Sequence, residues 1–421
     1  MKDAHQRSPW WWIPSLYFGQ GIPYVIVMTL SVAMYKNTGI SNTDIALYTG
    51  WLYLPWVIKP LWSPVVELLG TKRMWIIALQ LVIGAALAGV AFTTKLPSFF
   101  QASLAVLWLM AFSSATHDIA ADGFYMLGLR QQQQAAFVGV RSTFYRLAMI
   151  AGQGGLLWLA GHFTKTLGDP HVAWSIVLLV VAVLFGVLSV YHFFMLPEPA
   201  ADVRAPVGGD MLREFFATFA AFFQKKGILI TLGFLLLFRL GEAQLLKLVL
   251  PFMLDPVAKG GLGLSNEEVG LVYGTIGIIA LTLGGLAGGV VISRFGLKRC
   301  LWPMAFAVHL PDLVFVYLSS AQPDNLFLIS AVIAVEQFGY GFGFTSYMLY
   351  MIMVADGPHK TAHYAICTGF MALGMMLPQM ASGWIQEMLG YQHFFLWVCL
   401  ATIPGFIMTA LVKVDPAFGR E

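Results

Sequence analysis

The stretch GISNTDIALYTG, residues 39–50, returns later in the chain as GLSNEEVGLVYG, residues 263–274. Both copies open with glycine, place Ser-Asn two residues on, and follow it with an acid, Asp44 in the first and Glu268 in the second. Serine is a favoured helix N-cap, and an acid in the first turn complements the helix dipole. Each copy is therefore read as the start of a helix. A second pair lies downstream of the first: SPVVELLGTKR at 63–73 matches GVVISRFGLKR at 289–299. Two matched pairs in the same order make the chain a duplication.

What is duplicated is set by composition. Of 421 residues, 58% are hydrophobic and 11% charged, whereas a soluble domain is about 25% charged. Mean hydropathy is +0.75. Apolar runs long enough to span a hydrocarbon core of about 30 Å recur along the whole chain. Twelve are read, at about 10–35, 43–67, 74–93, 103–129, 135–160, 173–195, 227–254, 268–293, 300–319, 325–353, 362–385 and 392–412. The first is too long for a signal-peptide core and is read as retained.

Basic residues give the orientation. Fifteen of the 24 Lys and Arg fall in the segments that are cytoplasmic if the N-terminus is inside, four in the opposite loops and five within runs. That bias places both termini in the cytoplasm. Both halves then enter the bilayer from the same side, a parallel six-plus-six repeat of the kind expected to enclose a central site. The expected domains are an N-terminal six-helix bundle (1–196), a cytoplasmic linker (197–226) and a C-terminal six-helix bundle (227–421). Within the linker, MLREFFATFAAFF at 211–223 reads as an amphipathic helix on the membrane face. The three cysteines, Cys300, Cys367 and Cys399, have no paired spacing, so no disulfide, metal site or cofactor is implied. A net charge of +3 gives no reason to expect nucleic acid.

Function is read from charges that should not be there. SSATHDIAADGFYM, residues 113–126, puts His117, Asp118 and Asp122 inside the fourth run. Asp118 and Asp122 are four apart and share a helix face. A carboxylate at bilayer depth costs roughly 3 kcal/mol or more and normally faces protein or water. The fourth and fifth runs are joined by a short turn, so Asp122 is expected level with Arg141, and Asp118 with Arg146. Two readings stand side by side: structural ion pairs, or arginines that hold a solute carboxylate once the aspartates are protonated. The second half carries Arg239, Glu242, Lys247, Asp312 and Glu336. Glu242 and Glu336 are read as proton carriers near mid-membrane, unless Arg239 merely neutralises Glu242. Asp312, after Pro311 at a probable kink, is read as structural or solvent-facing. Lys59, Gln20, Tyr24, Gln153 and Gln379 are weaker candidates for solute contact, and His117 for a proton relay.

The paired turns resemble the Gly-x-x-x-Asp-Arg-x-Gly-Arg-Arg signature of the major facilitator superfamily. The resemblance implies an all-α membrane fold of twelve helices in two pseudo-symmetric bundles. It implies a conformational latch at Glu67, Gly70 and Arg73 in the first copy, and at Arg294, Gly296 and Arg299 in the second. Ser293 stands where the second copy would carry its acid. Ile58 to Pro64 (IKPLWSP), Ser114 to Asp122 (SATHDIAAD) and Tyr145 to Met149 (YRLAM) are similar to the AmpG-type muropeptide permeases and their acetyl-CoA-transporter relatives. Proton-coupled import of GlcNAc-anhydromuropeptides across a bacterial inner membrane, by a monomer, is what that resemblance implies. Siderophore or other organic-anion permeases of the same superfamily are the alternative. A membrane enzyme is disfavoured, because no nucleophile–base cluster or metal-ligand spacing is present and catalysis gives no reason for the duplication.

Overall fold

Ser41 and Ser265 each begin a helix. Ser41 Oγ accepts from the Asp44 N–H at 3.0 Å. Ser265 and Glu268 complete a reciprocal capping box, with Ser265 N–H donating to Glu268 Oε2 at 2.8 Å. The duplicated stretch therefore performs the same local task twice.

In the computed structural model the backbone is described for residues 7–129, 131–200, 202–203, 209–357, 360–416 and 418–419, and among them there is no strand. The α-helices are α1 (Ile13–Val25), α2 (Ser31–Asn37), α3 (Asn42–Trp51), α4 (Leu54–Leu69), α5 (Lys72–Thr93), α6 (Phe99–Gly128), α7 (Gln131–Ile150), α8 (Leu157–Leu167), α9 (Pro170–Met195) and α10 (Gly209–Phe223). They continue as α11 (Ile228–Leu237), α12 (Leu240–Leu254), α13 (Asn266–Leu271), α14 (Ile278–Phe295), α15 (Leu297–His309), α16 (Leu313–Ala321), α17 (Leu326–Ala355), α18 (Lys360–Ala401) and α19 (Ile403–Leu411). Among the described residues nine helical spans are long and apolar enough to cross a membrane. The second expected run is divided between α3 and α4, and the fifth between α7 and α8. The last two runs form one span from Ala362 to Leu411, interrupted at Thr402 between α18 and α19 and at Gly390, whose φ of 70° and ψ of 164° turn the chain between the runs. A β-carbon is disfavoured at that φ, so glycine makes the turn.

Packing divides the chain into two compact units, one of residues 1–38 and 61–207, the other of 39–60 and 208–421. The first is held by α5 against α6 and α9, and by α1 against α7. Its core gathers Trp12, Tyr17, Ile76 and Phe124. In the second, α17 lies against α14 and α15, and α18 against α3 and α12. The α14–α17 approach is so close that a β-carbon on Gly341 would strike the Leu281 carbonyl. Small residues that let backbones meet are how membrane helices associate without a hydrophobic drive between them. The amphipathic helix α10 inserts Phe222, fully buried, into the second unit's core beside Phe234 and Met351.

Residues 39–60 join the second unit through polar bonds. Asn42 Nδ2 donates to Gln386 Oε1 at 2.7 Å and to the Tyr391 hydroxyl at 2.9 Å, and Tyr391 donates to Asp255 Oδ2 at 2.6 Å. Beside them, Thr43 gives its N–H and its hydroxyl to the two oxygens of Glu387, at 3.0 and 2.6 Å.

Candidate functional site

In the first unit, α6 and α7 bring Asp122 and Arg141 together, as their matched depths predict. Arg141 Nη2 lies 2.8 Å from Asp122 Oδ1, with the two side chains 33% and 38% exposed. The guanidinium sits 4.5 Å from the Tyr17 ring centroid and 5.4 Å from that of Tyr125. Cation–π contact on two rings fixes the orientation of Arg141. Asp118 and Arg146 lie on the same helices, each half-buried and each engaged. Gln20 is buried on α1, and its Oε1 has no hydrogen-bond partner among the described residues. Tyr24 is half-buried. Gln153 Nε2 donates to Thr29 Oγ1 at 3.4 Å, and both residues lie in π-helical turns, Ala151–Leu156 and Ile26–Leu30. Such turns are frequent at functional sites.

His117 does not stand free as a relay. Its Nε2 is 3.2 Å from Gln80 Nε2, Gln80 Oε1 is 2.8 Å from His192 Nδ1, and His192 Nε2 is 2.9 Å from the Ser15 hydroxyl. An amide in the middle gives each neighbour a fixed role: it donates to His117 and accepts from His192. The chain ties α1, α5, α6 and α9 together.

The expected latch is asymmetric. Glu67's side chain lies outside the described residues. Gly70 is buried beside Met74. Arg73 binds the chain after α9, donating to Phe193 O at 2.5 Å and pairing with Glu198 at 3.4 Å. The acid that closes this turn is Asp202, whose two oxygens accept from the Lys72 and Arg73 N–H groups at 2.8 and 3.0 Å. It satisfies the first two N–H groups of α5, while the N-cap Thr71 accepts from the third, that of Met74, at 3.1 Å. In the second copy Arg294 and Arg299 are exposed. Gly296, at φ 79°, turns the chain into α15, and Leu297 N–H donates to Phe418 O at 3.0 Å.

The second unit holds the densest buried charge. Helix α11 ends at Leu237 and α12 restarts at Leu240, with Arg239 as its N-cap. Arg239 donates from Nη2 and Nε to the two oxygens of Glu242, at 2.7 and 3.0 Å, and from Nη2 to the Tyr340 hydroxyl at 2.6 Å. Its guanidinium also stacks 4.7 Å from the Phe344 centroid. Glu242, in the first turn of α12, has that helix's exposed N–H groups behind it. Both members of the pair are buried, so it is costly to break, although breaking even is all its formation guarantees. The neutralising partner weighed for Glu242 is thus present.

Three further groups converge there. Glu336 on α17 is 1% exposed and accepts from Gln337 Nε2 at 2.9 Å. Asp312 closes the 3-10 turn Leu310–Asp312 between α15 and α16, is 1% exposed, and feels the charges of Glu336 and Glu242. Of the two expected roles, structural or solvent-facing, this burial excludes the second. Tyr273 lies in the π turn Val272–Gly277 and faces the same two glutamates. Three helices lose α-geometry around one group of carboxyls, as in transporter ion sites built on broken helices.

Lys247, on α12, is 5% exposed, and its ammonium has no ion pair or hydrogen bond among the described residues. Its sequence context, an apolar run, gave no sign that a lysine there would be left without a partner. Lys59 on α4 is half-buried and engaged. Gln379 is buried on α18.

A family model described as Major Facilitator Superfamily matches residues 15–355. Anhydromuropeptide permease of Escherichia coli (strain K12) is 26% identical over 415 residues, spanning 96% of this chain and 80% of that protein. Putative transporter AmpG 4 of Rickettsia conorii (strain ATCC VR-613 / Malish 7) is 25% identical over 403 residues, 92% of each. Among solved structures, nucleoside transporter NupG aligns with a TM-score of 0.69 at 16% identity, covering 96% of this chain and 98% of its own. A POT family transporter in complex with thioalcohol conjugated peptide aligns at 0.73 and 9% identity, covering 95% of each. At these identities the structures share the fold.

Proposed function

From the premise that this chain belongs to the major facilitator superfamily and is a multi-span membrane transporter of small solutes, we propose that it imports GlcNAc-anhydromuropeptides, or a closely similar anionic amide-containing solute, in symport with protons. The observation that carries this reading is the similarity to an anhydromuropeptide permease along 96% of the chain. The charge inventory supports it. Five embedded cations, Lys59, Arg141, Arg146, Arg239 and Lys247, are matched in number by five embedded acids, Asp118, Asp122, Glu242, Asp312 and Glu336. Protonation of the acids leaves the membrane interior positive, so an anionic solute binds well only when protons are bound. Differential affinity of this kind couples two fluxes.

In this reading Lys247, a buried cation with no partner among the described residues, receives a solute carboxylate. Arg141, Arg146 and Arg239 serve after release from their carboxylates, and Lys59, Gln20, Tyr24, Gln153 and Gln379 contribute polar contacts. Glu67, Gly70, Arg73, Arg294, Gly296 and Arg299 govern which side is open. The carrier works in a bacterial inner membrane with both termini cytoplasmic, as a monomer, and returns after proton loss to the cytoplasm expels the solute. The test is uptake of labelled anhydromuropeptide by a permease-deficient strain expressing this chain. No uptake, with normal membrane insertion and with ferric siderophore accepted instead, overturns the solute and leaves the carrier.

A further inference from the structure

Asp312 is the one carboxyl of its group that ties nothing down. Glu242 has both oxygens on Arg239, and Glu336 accepts from Gln337. Neither oxygen of Asp312 has a hydrogen-bond partner among the described residues. Its backbone stands at the N-cap of α16, the place where an aspartate ordinarily bonds the first free N–H groups, yet its side chain makes no such bond. A structural account of Asp312 thus has no interaction to rest on.

The groups that face it are few. From α12 comes Glu242, from α17 Glu336, and from α18 the Cys399 thiol. Arg239 is committed to Glu242, and the His309 ring is lodged between Phe238 and Phe406, at 5.1 and 5.2 Å. A buried carboxylate with neither counter-charge nor hydrogen bond is among the costliest groups a protein can hold. A proton removes that cost. Losing the proton would do the reverse, setting an anion beside Glu242 and Glu336, which would repel it.

We propose that Asp312 is the protonatable carboxyl of this carrier, and that its charge state acts on the neighbouring Glu242 and Glu336. The inference rests on the proton-symport reading above and names the residue through which coupling runs. Proton gain adds one hydrogen to one Asp312 oxygen, and proton loss returns it to water, with no other bond made or broken.

The experiment needs no solute. Purified, reconstituted protein is followed by infrared difference spectroscopy as pH is raised. A protonated carboxyl without hydrogen bonds has a carbonyl stretch at the high-frequency end of the carboxylic-acid region. That band is expected in the wild type at neutral pH, to disappear as pH rises, to be absent in Asp312→Asn and to persist in Glu336→Gln. Asp312→Asn and Asp312→Leu are both expected to melt no lower than the wild type, since no bond is lost. In vesicles the Asn variant is expected to lose pH-gradient-driven accumulation of labelled anhydromuropeptide by about tenfold or more relative to its solute exchange. A band that survives Asp312→Asn, or a lower melting temperature in both variants, overturns the assignment and leaves proton symport to be carried by Glu336. Wild-type accumulation indifferent to the imposed pH gradient overturns proton symport itself, and the coupling role of Asp312 with it.

Discussion

Arg239 reaches three residues forward to hold both carboxylate oxygens of Glu242, at 2.7 and 3.0 Å, with the two side chains 6% and 2% exposed. Arg141 and Asp122 meet at 2.8 Å, but with a third or more of each side chain exposed. The two pairs use the same chemistry in different dielectrics, and the difference makes a prediction. Removing one member of the buried pair leaves an uncompensated charge and costs about 3–5 kcal/mol. Removing Arg141 costs about 1 kcal/mol or less, because water screens what remains. Melting in detergent is expected to fall far more in Arg239→Ala than in Arg141→Ala. Adding Glu242→Gln to the first, and Asp122→Asn to the second, should recover part of each loss. Equal losses in the two single variants would mean that the buried pair is not more costly to break.

Gln80 carries a second prediction. It is wholly buried and bridges His117 to His192. Gln80→Leu leaves a buried polar atom on each histidine unsatisfied, at about 1–3 kcal/mol apiece. The variant should melt lower than the wild type, and His117→Leu combined with it should melt no lower than Gln80→Leu alone. A Gln80→Leu protein as stable as the wild type would remove the bridge from the account.

Tyr391 carries a third. Its hydroxyl accepts from Asn42 and donates to Asp255, so one oxygen links α3, α18 and the end of α12. Tyr391→Phe deletes both bonds and keeps the ring against Phe252 and Phe395. A cysteine introduced at Thr43, in a protein whose three native cysteines are replaced, should then react faster with a membrane-impermeant maleimide. Unchanged labelling would show that the two Tyr391 hydroxyl bonds do not hold this end of α3.

How much of this the sequence disclosed depends on where each partner comes from. The helices were legible because apolar runs and the Ser41 and Ser265 caps are local signals. The Arg141–Asp122 pair was legible because a short turn fixes relative depth on neighbouring helices. Asp202 was not, since its partners are backbone N–H groups some 130 residues earlier in the chain, and backbone donors carry no side-chain signature. The break at Arg239 has no proline to announce it. The burial of Asp312 was not legible, because a His-Leu-Pro-Asp turn looks the same whether it bends toward lipid, water or protein. Lys247 sits in an apolar run with nothing nearby to say that it lacks a counter-charge. Attachment of residues 39–60 to the second unit depends on Gln386, Glu387 and Tyr391, whose distance in sequence hides the contact.

Symport of protons with a muropeptide on this chain is a proposal that transport itself can decide. The most direct measurement is uptake of labelled GlcNAc-anhydromuropeptide into vesicles reconstituted with the purified protein, under an inwardly directed proton gradient. The account predicts accumulation above the external concentration, abolished by a protonophore. Equilibration to the external concentration alone, the same with and without the gradient, would contradict it.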